Sequence, residues 1–218
     1  MLLLACDTAT PAVTVALHDG AAVIASEAAL DARRHGELLA VFIDKALRTA
    51  GAGPGDLTAI AVGTGPGPYT GLRAGLVTAR VLGSVLQIRA DGICSLDVIA
   101  AEAAAMGGAS GSEFLVATDA RRREVYWARY TAAGERSEGP QVSWPADLPA
   151  GLPVAGEGAV RYPELAARPI EPCYPSAAWL AAIAVARATA GEPPHPPEPL
   201  YLRRPDAREP GKPKRVTP

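Results

Sequence analysis

The chain has 218 residues, of which 49% are hydrophobic, enough to bury a sizeable core in one domain of two lobes or in two small domains. Its formal net charge of -2 excludes nucleic-acid binding through a broad basic face, because neutralising phosphates takes many clustered Lys and Arg. Cys6, Cys94 and Cys173 are odd in number, far apart and without a CxxC pair, which fits neither a disulfide framework nor a zinc site and points to a reducing cytoplasm. The opening run "MLLLACDTA" has no charged leader and is broken at Asp7; no apolar run reaches the roughly 18 residues of a span, so neither a signal peptide nor a membrane contact is expected.

The chain opens with apolar runs at Leu2 to Cys6, Val13 to Leu17 and Ala21 to Ala25, with Asp19-Gly20 as a turn dipeptide between the last two. They read as three strands, the second and third forming a hairpin. From Glu37 to Ala50, Leu38, Leu39, Phe42, Ile43, Ala46, Leu47 and Ala50 recur at helical spacing and Gly51 supplies the stop. A strand at Ala59 to Gly63, a bare loop, a helix from about Thr70 to Leu86, a strand around Gln87 to Ala90 and a helix near Ser95 complete the order βββαβαβα. After "GGASGS" the character changes to "EFLVATDARRREVYWARY", two strands joined at an Arg-rich turn. A first lobe of residues 1–108 and a smaller second lobe of 109–191 follow, the latter ending in a helix over Ser176 to Ala190. Residues 192–218, rich in proline and basic towards the end, read as an extended tail outside packed structure.

The stretch "GTGPGPYTGLRAG", Gly63 to Gly75, places a loop almost without side chains between a strand and a helix. Such a loop can cradle phosphate on the amides of the helix N-terminus, which would enlist Gly65 and Gly67 together with Asp7 and Thr8 at the first strand's end. The Lys-Ser/Thr ending of a P-loop is absent, however, and the GxGxxG pattern fails at Pro68. The alternative is a rigid turn whose glycines let the backbone approach a neighbouring segment. In the next helix Gly71, Gly75, Ala79 and Gly83 recur every four residues and share one face, as small-residue packing surfaces do. The apolar arc of the helix from Glu37 covers roughly 180°, more than the about 100° that one core requires, so it serves either an outside partner or two surfaces of its own lobe. His18, His35 and His195 are isolated, with no metal-binding spacing. Arg121 to Arg123 form a charge run between two strands, ordinarily a solvated turn.

These pieces resemble the TsaB family, also called YeaZ, which serves the formation of threonylcarbamoyladenosine in tRNA. The matching stretches are "LLACDTAT" with "VTVALHDG", "RRHGELLAVFIDKAL", "AVGTGPGPYTGLRAGLVTARVLG", "DGICSLDVIA" and "TDARRREVYWARY". The resemblance implies an α/β protein of actin-like, ribonuclease-H-like fold, in two lobes that each carry a mixed sheet and flanking helices. It implies a non-catalytic scaffold that dimerises with the catalytic TsaD subunit through the first two helices, at His35, Leu39, Phe42, Ile43, Leu47, Gly71, Gly75, Ala79 and Gly83. A TsaE-like ATPase would join, and tRNA would be reached through the complex. The paired helix histidines of TsaD's metal motif are reduced to His35, and the glycine after the first-strand Asp of actin-like phosphate sites is replaced by Asp7-Thr8-Ala9-Thr10. No catalytic residue, metal or cofactor is therefore expected on this chain alone, with ATP and a metal belonging to the partners. Association with a second copy stays open. An actin-like ATPase or kinase is the main rival reading, and a metallopeptidase-like protein a weaker one.

Overall fold

The structure, a computed structural model, describes residues 1–165 and 168–203. In the first lobe β1 (Leu3–Asp7), β2 (Ala12–His18) and β3 (Val23–Leu30) form an antiparallel meander, followed by α1 (His35–Thr49), β4 (Ala59–Gly63), α2 (Tyr69–Leu86) and β5 (Arg89–Ile93). The sheet order is β3-β2-β1-β4-β5, with β1 antiparallel to β2 and parallel to β4. β1, β2 and β4 are continuous apolar runs because both of their faces are covered. On one face, Leu4, Cys6, Val13, Val15, Leu17, Ile60 and Val62 pack against α1 and α2.

α3 (Ser95–Ala105) leads to the second lobe, where β6 (Phe114–Asp119), β7 (Val125–Tyr130) and β8 (Arg136–Ser143) form another antiparallel meander. β9 (Val154–Ala155), the short α4 (Glu157–Arg161) and β10 (Pro169–Ile170) follow in the stretch that carries no clear sequence pattern. The order β10-β9-β6-β7-β8 repeats that of the first sheet, strand for strand. β6 is antiparallel to β7 and parallel to β9, as β1 is to β2 and β4.

The last helix, α5 (Ala177–Thr189), does not pack with the lobe that precedes it. Leu180, Ala181 and Ala184 lie against Leu3, Ala5, Ala16 and Ala61 on the second face of the first sheet. Conversely, Leu96, Ile99, Ala100 and Ala103 of α3 lie against Phe114, Val116, Ala128 and Tyr130 of the second sheet. The Tyr130 hydroxyl donates to Asp97 Oδ1 at 2.8 Å. Both helices are apolar nearly all round, as helices buried between layers must be. By packing, then, the boundaries 1–108 and 109–191 are crossed by an exchange of helices, which sequence order cannot reveal.

The stretch from 192 is extended but docked as far as residue 203. The Gly92 N–H donates to the His195 carbonyl at 2.9 Å, and the Leu200 N–H to the Thr64 carbonyl at 2.9 Å. The expected free tail is thus corrected over 192–203, since prolines leave enough amides and side chains for edge contacts; residues 204–218 lie outside the described residues. Among the described residues no helix is long and apolar enough to cross a membrane.

Candidate functional site

The end of β1 meets the loop after β4 and the start of α3. Asp7 is fully buried, with the Ser95 hydroxyl donating to its Oδ2 at 2.6 Å and the Ala9 N–H to its Oδ1 at 2.7 Å. Burial pushes its carboxyl up to about 6, against the partial relief of those two hydrogen bonds and of the nearby His35. The bare loop is bare because it lies on this turn. A Cβ on Gly63 would fall on the Asp7 carboxylate, and one on Gly67 would overlap the Ala9 carbonyl. Gly65, at φ 84°, turns the chain in the left-handed region over Leu72.

Thr8 explains the first two small residues of α2. Its hydroxyl donates to the Gly71 carbonyl at 2.7 Å and accepts from the Gly75 N–H at 3.0 Å, the two groups that an α-helix ordinarily joins to each other. A side chain wedged into that pair needs glycine on both sides, and a Cβ on Gly75 would stand 2.7 Å from Thr8 Oγ1. Ala79 is buried in the same core, and a Cβ on Gly83 would approach the Ile88 carbonyl at 3.1 Å. His35 Nε2 lies 2.8 Å from the Thr10 carbonyl and so carries the proton of that bond. Leu39, Ile43 and Leu47 are buried in the first lobe's core, with Phe42 packed at its margin. The nine residues expected to meet a partner therefore face or pin their own lobe. The wide arc of α1 serves the sheet and α2 together.

Asp7, Thr8, Gly65 and Gly67 come together as the sequence suggests, yet their polar side-chain atoms are engaged with one another's segments. Beside them a cavity of about 190 Å³ is lined by Thr8, Thr10, His35, Thr70 and Gly71 of the first lobe and by Arg121 of the second. That is below the about 300 to 1,000 Å³ of ordinary ligand sites.

At the equivalent strand end of the second lobe, Asp119 is buried among cations. Tyr162 donates to its Oδ1 at 3.0 Å, Arg121 Nη1 pairs with Oδ2 at 3.4 Å and Arg161 Nε with Oδ1 at 3.6 Å. Burial raises the carboxyl of the adjoining Glu157 above its ordinary range. The Arg-rich turn is more than a solvated loop, since Arg121, Arg122 and Arg123 all adopt positive φ, which costs a non-glycine residue about 1 kcal/mol or more each.

An exposed apolar face does exist on the first two helices, displaced from the one read in sequence. Val77, Val81 and Val85 are 58%, 55% and 73% exposed, and Val41 of α1 is 58% exposed. Between the helices runs a groove of about 440 Å³ floored by Ile43, Leu47 and Leu82. Each valine lies two residues beyond a member of the small-residue series, about 200° round the helix. The signal was present as a second four-residue period on α2.

Two sheets of one topology, meeting at paired strand ends with exchanged helices between them, define an actin-like fold of two lobes. Residues 23–169 match the family described as TsaD, tRNA N6-adenosine threonylcarbamoyltransferase. An uncharacterized protein of Mycobacterium tuberculosis strain H37Rv is 46% identical, covering 94% of this chain and 93% of its own. The tRNA threonylcarbamoyladenosine biosynthesis protein TsaB of Escherichia coli K12 is 37% identical over 60% of this chain and 55% of its own length. YeaZ from Pseudomonas aeruginosa superposes with a TM-score of 0.76 at 27% identity, covering 92% of this chain and all of that one. The chain belongs to the TsaD/YeaZ (TsaB) family.

Proposed function

We propose that this chain is a scaffold subunit in the formation of threonylcarbamoyladenosine in tRNA, binding a TsaD-like catalytic subunit through the outer face of α1 and α2. The observation that carries the reading is the exposed valine stripe of α2 beside the α1/α2 groove, an apolar surface of the kind that marks protein interfaces. Family membership supplies the class of partner. The hold of the Ser95 hydroxyl and the Ala9 amide on Asp7, and of the Thr8 hydroxyl on Gly71 and Gly75, supports a structural use of the strand end. ATP and a metal then enter with the TsaD-like subunit and a TsaE-like ATPase, and tRNA is reached through the assembly.

The test is titration of the purified chain with the TsaD homologue of the same organism. Val81→Asp should weaken association by about a hundredfold, or about 3 kcal/mol, while leaving the free chain folded, because Val81 is exposed. Undiminished binding by this variant would remove the α2 face from the reading, and turnover of ATP by the isolated chain that is lost in Asp7→Ala would replace the scaffold with an ATPase.

A further inference from the structure

The two lobes are joined through the buried layer of α3 and α5, and the segment after α5 makes a second, separate connection. Beyond Gly191 the chain returns to the edge of the first sheet. There the His195 N–H donates to Asp91 Oδ1 at 2.8 Å, and Gly92 is bare because a Cβ would stand 2.6 Å from the Pro196 carbonyl. At Leu200 the chain bonds the Thr64 carbonyl of the first lobe while its side chain packs against the cluster formed by α3 and the second sheet. Tyr201 then stacks on Tyr69 at the start of α2, with ring centroids 5.6 Å apart. Its hydroxyl accepts from Arg73 Nε at 3.0 Å, and the Arg73 guanidinium lies 3.7 Å from the centre of the Tyr69 ring. Two residues on, Arg203 has crossed to the second lobe, donating to the Ala120 carbonyl at 3.1 Å and pairing with Glu124.

We infer that residues 192–203 form a latch that fixes the angle between the two lobes, with Tyr201 as its first-lobe anchor and Arg203 as its second-lobe anchor. The two anchors stand on either side of a single residue, so the span between them has almost no slack. Tyr201 engages the first turn of α2 and Arg203 the turn after β6, the segments that supply Thr70, Gly71 and Arg121 to the cavity between the lobes. The latch is built from a stacked ring pair and a cation over a ring at the half-exposed Tyr201, and from an Arg203–Glu124 ion pair whose side chains are largely covered. Contacts so few close a connection without making it permanent. This inference does not depend on the proposed partner, since it concerns the chain alone.

The test uses the full chain with spin labels at Ser84→Cys on the first lobe and Ala133→Cys on the second, in a Cys173→Ser background that leaves the buried Cys6 and Cys94 in place. Pulsed electron resonance should give one narrow interlobe distance. In the Tyr201→Ala/Arg203→Ala variant the distribution should broaden or shift, and exchange of the Leu200 amide should accelerate by about tenfold or more. Glu124→Gln, which removes the charge facing Arg203 but leaves its bond to the Ala120 carbonyl, should broaden it in the same sense and less. An unchanged distance distribution in the double variant, whether or not Leu200 exchanges faster, overturns the latch.

Discussion

The two sheets share one strand order, and in each the first strand ends in a buried aspartate, Asp7 of β1 and Asp119 of β6. In each, glycines at or just beyond the end of the fourth strand press on the first-strand segment. Gly63 and Gly67 lie on Asp7 and Ala9, and Gly156 and Gly158 lie on the Ala117 carbonyl. Yet the two carboxylates live differently. Asp7 is fully buried with the Ser95 hydroxyl and one amide as donors; Asp119 has Arg121, Arg161 and Tyr162. Topology places the carboxylate, and the side chains brought round it decide its use.

The parallel is broken most severely at the glycines. Gly67→Ala should cost about 3 kcal/mol or more, since backbone must move away from backbone, and Gly156→Ala should match it, with the added penalty of its φ of 92°. Chemical denaturation that finds either change harmless would show that the close approach in that lobe can relax. Gly75→Leu should destabilise the isolated chain by about 2 to 3 kcal/mol by driving Thr8 from between Gly71 and Gly75, measured as a lowered denaturation midpoint.

Replacing the two aspartates should act with opposite sign. The folded chain holds the Asp7 proton more tightly than the unfolded chain, about 6 against the ordinary 3.8. That contribution is therefore complete below about pH 3.8 and is lost as pH rises through about 6, up to about 3 kcal/mol in all. Asp7→Asn should flatten this part of the stability–pH curve and hold or raise stability at pH 7, whereas Asp119→Asn should lower it by about 1 kcal/mol by leaving two half-exposed guanidinium groups without their carboxylate. Denaturation curves of the three proteins between pH 4 and 7 provide the comparison. The smallest effect is expected at Gly36, where a Cβ meets nothing within 4 Å and Gly36→Ala in α1 should add about 0.5 to 1 kcal/mol.

The first lobe was legible because its periods are long and clean: β1 as an unbroken apolar run, α1 and α2 as helical repeats, the loop as glycine and proline. Beyond it only β6, β7 and α5 keep such a pattern. β9 and β10 are two residues each, too short for any period, and α4 has five. At the site, the wedge of Thr8 into α2 and the bond of Ser95 to Asp7 join residues 63 to 88 positions apart, which no local pattern encodes. The inward sense of the glycine stripe was undecidable for the same reason, since a small residue suits a sheet as well as a partner helix. "LLACD" and "FLVATD" did offer one overlooked signal, two apolar runs each closed by aspartate.

The exchange of helices also sets an order of events on the ribosome. When residue 108 has been made, every strand of the first sheet exists, but the face carrying Leu3, Ala5, Ala16 and Ala61 still awaits α5, whose Leu180, Ala181 and Ala184 complete it. A nascent first lobe must therefore keep an apolar sheet face uncovered while some eighty further residues are synthesised, several seconds at typical elongation rates of about 5 to 20 residues per second. The N-terminal half of this protein reaches its native packing only when the C-terminal helix has emerged, so the chain matures as one unit despite its two sheets.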